Sequence, residues 1–122
     1  MNIASFTPGD QTHIQHYQPG TLTVNKRPYT HNLILTPDTA PRIWPVDDIY
    51  SLKADHIAPL IDLNADVILL GTGEKLIFPE ATALAPAYQK GLNIEIMNTY
   101  AASKTFNILV SEGRYVIAAL IV

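Results

Sequence analysis

The chain contains no cysteine in 122 residues. Disulfides, thiol nucleophiles and cysteine-held zinc are therefore excluded. Charge is scarce as well: 8 basic and 11 acidic residues leave a net charge of −3, with 16% of positions charged. That balance gives no basic footprint for nucleic acid and no polybasic membrane patch. No apolar run approaches the ~20 residues of a membrane-spanning helix, and the run from Ile117 to Val122 is far too short. The start, Met1-Asn2-Ile3-Ala4-Ser5-Phe6, has neither a basic opening nor a long apolar core, so it reads as neither signal nor transit peptide. A cytoplasmic location is the expectation. Motifs of chemistry are missing too. There is no Gly-x-Ser-x-Gly elbow, no dinucleotide fingerprint and no P-loop, and no cofactor is implied.

What is present is apolar: hydrophobic residues make up 48% of the chain. Such a composition excludes disorder, and the length predicts a single domain over 1–122 with a sizeable core. Many apolar residues beside few charges point to a buried interface, with a protein partner or in a homo-oligomer.

The organising stretch is Val67-Ile68-Leu69-Leu70-Gly71-Thr72-Gly73. Four consecutive apolar residues, flanked by Asp66 and the glycines, predict a strand buried on both faces. The turn after it has two readings. One is a cradle for an anion or small molecule, as at the carboxyl edge of open α/β sheets. The other is a tight turn that lets the chain leave the sheet.

Upstream, Thr12 to Tyr17, Thr21 to Val24 and Asn32 to Leu35 read as an antiparallel meander. Gln18-Pro19-Gly20 and Asn25-Lys26-Arg27-Pro28 supply its turns. Trp44, in a loop with Pro37, Pro41 and Pro45, reads as a lid over the core. Asp47 or Asp48 caps a first turn, and Asp55 a short helix through Leu60 limited by Pro59. Downstream, Leu76 to Phe78 reads as a small strand, and Pro79 as the first position of a helix Glu80 to Lys90 closed by Gly91. Pro86 predicts a kink or a delayed start. Asn93 to Met97 alternates as a strand, and Asn98 or Thr99 caps the next helix. Ala102, Phe106, Leu109 and Val110 give that helix its apolar face, and Gly113 ends it. Tyr115 to Val122, almost wholly apolar, belongs in the middle of the sheet.

Three constellations are weak. His13 and His16 lie three apart on a strand and face opposite ways, so no shared metal is expected. Asp47 and Asp48 diverge. Ser103 and Lys104 project about 100° apart on a helix, poor geometry for a dyad. The informative cluster is Asn98, Thr99, Lys104, Asn107 and Arg114. A helix N-terminus near Thr99 attracts anions. Same-direction strands joined by a right-handed crossover would bring it beside Gly71, Thr72 and Gly73. The candidate ligand pocket is therefore Gly71, Thr72, Gly73, Asn98 and Thr99, with Lys104 or Arg114 as the nearest cation. The alternative is that these polar residues only cap and tie the backbone.

The segments Leu69-Leu70-Gly71-Thr72-Gly73, Gly91 through Leu109, and Glu112-Gly113-Arg114-Tyr115-Val116 resemble a known family. It is a small domain family of unknown function that includes the mitochondrial complex I assembly factor 3 and many bacterial and archaeal proteins. The resemblance implies a three-layer α/β fold. In it, the meander and a strand–helix–strand–helix–strand unit build a central mixed sheet whose last strand runs antiparallel to its neighbours. It implies no established enzymatic activity, and the mitochondrial member acts through protein contact. The expected function is thus a non-catalytic interaction or assembly-factor-like module. The alternative is a small anionic-ligand binder or enzyme using the Gly-Thr-Gly turn.

Overall fold

The structure is a computed structural model and describes residues 11–122. The reading of Met1 to Phe6 as free of a leader lies outside those residues.

Strands β6 (Val67–Gly71) and β8 (Val116–Leu120) are buried at every position, as continuous apolar runs require. They pair in parallel, Val67 opposite Val116 and Gly71 opposite Leu120. Around them a five-stranded sheet runs in the order β5-β4-β8-β6-β7, with β4 at Leu33–Leu35, β5 at Arg42–Ile43 and β7 at Ile94–Met97. The period of two divides its side chains cleanly. Ile34, Ile68, Leu70, Ile94, Ile117 and Ala119 join Ile57 and Leu60 of α1 (Ala54–Ile61) and Leu84 of α2 (Ala81–Gln89) in one core cluster. Leu33, Leu35, Val67, Leu69, Val116, Ala118 and Leu120 form the other. That second cluster includes Phe106 of α3 (Thr99–Ser111) and Ile14, Leu22 and Val24 of a small three-stranded sheet. Helices α1 and α2, the mixed sheet, and α3 with the small sheet are the three layers.

The small sheet is the antiparallel meander β1 (Ile14–Gln18), β2 (Thr21–Val24) and β3 (Arg27–Tyr29). Its third strand is not Asn32 to Leu35, most of which is β4 of the main sheet. The turn between β2 and β3 is only Asn25-Lys26, both at positive φ, 46° and 69°, as two-residue hairpins prefer. Pro28 then sits in a strand, tolerated because β3 is an edge.

The resemblance's last strand is corrected on one side. β8 is antiparallel to β4 but parallel to β6. Two crossovers through α2 and α3 each return the chain in its original direction, so β8 must run with β6 and β7. Leu76 to Phe78 forms no strand, and α2 begins one residue later than read, with Glu80 at its N-cap. Asp55 lies inside the first turn of α1, which Lys53 precedes as N-cap. Trp44 is buried and its indole N–H donates to the His56 carbonyl at 3.0 Å, the lid role read from sequence. Asp48 accepts from the Ser51 N–H at 2.9 Å, a cap as read.

Candidate functional site

β6 and β7 pair in parallel with Gly71 opposite Met97. The chain therefore leaves both strands at one edge, side by side. This brings Gly71, Thr72 and Gly73 directly against Asn98 and Thr99. The two turns are bonded to each other. Thr72 N–H donates to Met97 O, and Thr99 N–H to Gly73 O, each at 2.9 Å. Gly73 N–H donates to Thr99 Oγ1 at 2.8 Å, and that hydroxyl donates to Ile121 O at 2.7 Å. Thr72 Oγ1 accepts from Ile77 N–H at 3.1 Å and donates to Lys75 O at 2.5 Å, folding the loop back. Asn98 Oδ1 takes the Ala101 N–H at 2.8 Å. The donors an anion would use are thus largely engaged inside the protein, and Thr72 and Thr99 are buried.

The two glycines have different reasons. A Cβ on Gly71 would lie 2.7 Å from Leu120 Cδ2 and 3.0 Å from Thr99 Oγ1. Gly73 adopts φ +98°, a conformation that side chains resist. Gly71→Ala should therefore cost about 1–3 kcal/mol through overpacking, read as a lowered urea midpoint.

Lys104 lies one turn into α3 with its Nζ 5.3 Å from the centroid of the Tyr100 ring. Arg114 is not part of this edge. It precedes β8, its N–H closing α3 onto Leu109 O at 3.1 Å. Because β8 runs parallel to β6, its start lies at the opposite end of the sheet from Gly71. Among the described residues no group of three His, Asp or Glu side chains is placed to hold a metal.

Reading by sequence missed a groove of about 340 Å³ between β1 and α3, to which Ile14, His16, Tyr17, Tyr100, Lys104 and Asn107 contribute. Asn107 builds it: its amide accepts from Ile14 N–H at 2.9 Å and donates to Ile14 O at 2.8 Å. Asn107 was legible as a polar position on a helix, but its partner lies 93 residues away. The Tyr17 hydroxyl is closed to solvent and has no hydrogen-bond partner among the described residues. Burial, then the Glu74 carboxylate, raises its pKa above the usual value of 10.0.

Tyr17→Phe should therefore leave the ligand-free protein as stable or up to about 1 kcal/mol more stable at neutral pH, since only an unsatisfied hydroxyl is removed. At high pH the sign follows from linkage. The unfolded tyrosine ionises near pH ~10 and the folded one later, so its contribution is whole below pH ~10 and lost as pH rises toward the folded pKa. Urea melts across that range should show a steeper loss in the wild type than in the variant.

The family described as "Protein of unknown function (DUF498/DUF598)" matches residues 14–121. The chain belongs to that family. It is 32% identical over 108 residues to the "13 kDa major membrane protein" of Francisella tularensis subsp. holarctica (strain LVS), covering 88% of each chain. It is 39% identical over 71 residues to "NADH dehydrogenase [ubiquinone] 1 alpha subcomplex assembly factor 3" of Xenopus tropicalis, covering 58% of this chain and 39% of that one. The chain thus spans well under half of that relative. A solved structure from Xanthomonas campestris is 35% identical with a TM-score of 0.84, covering 100% of this chain and 92% of that chain. The family therefore joins bacterial proteins of this size to the mitochondrial assembly factors, as the resemblance implied. Among the described residues no helix is long and apolar enough to cross a membrane.

Proposed function

We propose that the protein is a non-catalytic interaction module that works by holding an apolar surface toward a protein partner, in the manner of an assembly factor. The observation that carries this is the loop between β6 and α2. Thr72 ties the loop at Lys75 and Ile77, and Ile77 packs against the core. The residues on either side of that anchor, Leu76 and Phe78, are 51% and 69% exposed. A large apolar pair held out by an ordered loop costs solvation in the free protein and gains by being covered. Aromatic anchors of this kind dominate binding energy at interfaces. The kinship with the assembly factors supports the same reading.

The test is affinity capture with cross-linking from a bacterial lysate, comparing the wild type with Phe78→Asp. A protein recovered by the wild type and lost with the variant is the expected result. The same set of proteins with both, together with turnover of a metabolite by the purified chain, would overturn it. The proposed location is the cytoplasm, a reading supported by the net charge of −3 and the lack of a polybasic patch. Recovery in the membrane pellet on fractionation, where the name of the Francisella relative points, would overturn that location.

A further inference from the structure

We infer that the groove between β1 and α3 is a binding site for a small aromatic monocarboxylate. This goes beyond the interaction role and does not depend on it.

The groove is built rather than incidental. Its volume of about 340 Å³ falls within the ~300–1,000 Å³ of small-molecule sites. The Asn107 amide clamps both backbone groups of Ile14, so the spacing between β1 and α3 is set by two hydrogen bonds. The β1–β2 register is irregular between Ile14 and His16, and such a bulge re-aims the side chains beside it. Ile14 is buried and supplies an apolar floor, and the rings of Tyr17 and Tyr100 supply flat surface for a planar ligand.

The polar groups select the ligand's charge. Among the described residues, Lys104 contacts the Tyr100 ring and has no carboxylate partner. An ammonium over an aromatic face retains donors for an anion. Among the described residues, neither an arginine nor a carboxylate lines the groove. One ammonium with no second cation beside it suits a single negative charge and disfavours phosphate dianions or nucleotides. A carboxylate at Lys104, with its aromatic body lying along the groove beside Tyr17 and Tyr100, fits this lining.

The test is an amide NMR titration of the intact chain with benzoate, benzamide and inorganic phosphate. Benzoate should give saturable shifts at Ile14, Tyr17, Tyr100 and Lys104, half-complete at about 1 mM or below. Neutral benzamide and phosphate should bind at least about tenfold more weakly. Lys104→Met, or Lys104→Gln should the first fold poorly, should weaken benzoate about tenfold with an otherwise unchanged spectrum. Tyr17→Phe keeps the ring and removes only the closed hydroxyl, so it should bind benzoate as the wild type does. Shifts that fail to saturate by about 10 mM would overturn the proposal. So would equal binding of benzamide, binding indifferent to the Lys104 variants, or shifts confined to the residues around Gly73 and Thr99.

Discussion

Thr99→Val should lose about 2–4 kcal/mol of stability, although the two side chains have nearly the same shape. The hydroxyl is buried and serves two partners, accepting from Gly73 N–H and donating to Ile121 O. Valine fills the space and answers neither. Each buried group left unsatisfied costs about 1–3 kcal/mol. Thr99→Ser keeps the hydroxyl and removes one methyl, so it should lose only about 1 kcal/mol. Urea unfolding of the two variants separates the explanations. A Val variant as stable as the Ser variant would mean that the hydroxyl bonds are not what holds the two turns together.

Phe106→Ala should cost more, about 3–5 kcal/mol, through lost transfer energy and the cavity left behind. Phe106 is fully buried where α3, the odd-numbered face of β6 and the small sheet converge. Domains of this size have only about 5–15 kcal/mol in total, so the variant should approach the limit of folding at 37 °C. Ile108, two positions along the same helix but 57% exposed, provides the control. Its replacement by alanine should stay within about 0.5 kcal/mol. Equal losses at the two positions would contradict the assignment of α3's buried face.

Those two side chains also mark what was legible in advance. Phe106 stood in a helical repeat with Ala102 and Val110, all buried on one face, because periodicity reports burial directly. The runs Val67 to Leu70 and Tyr115 to Val122 announced central strands for the same reason. Asn98 or Thr99 was legible as a cap through local chemistry that needs no tertiary partner, and Asn98 takes that place. Where the partner is distant, sequence is silent. Nothing at Thr99 announces Ile121, and nothing at Asn107 announces Ile14. The groove lined by Tyr17 and Lys104 exists only once β1 is laid across α3. Strand direction is equally non-local: it decides that Arg114 lies at the far end of the sheet from Gly71. The hairpin failed on finer chemistry. Lys26 adopts a left-handed turn without being glycine, and Pro28 hides a strand whose outer edge needs no N–H.

The candidate site divides along the same line. Its membership was largely legible, since Gly71, Thr72, Gly73, Asn98 and Thr99 do meet at one edge. Its hydrogen-bonding state was not, because that depends on Thr99 and Ile121 reaching across the turns.

The two turns bond to each other at one edge of the sheet. Amide hydrogen exchange on the ligand-free protein tests this most directly. Gly73 and Thr99 donate inside the protein at 2.8 and 2.9 Å, so their amides should be protected as strongly as those of β6 and β8, opening only in global unfolding. Exchange at the rate of an exposed loop would show that the turns are open to solvent and to ligands, and would contradict the account.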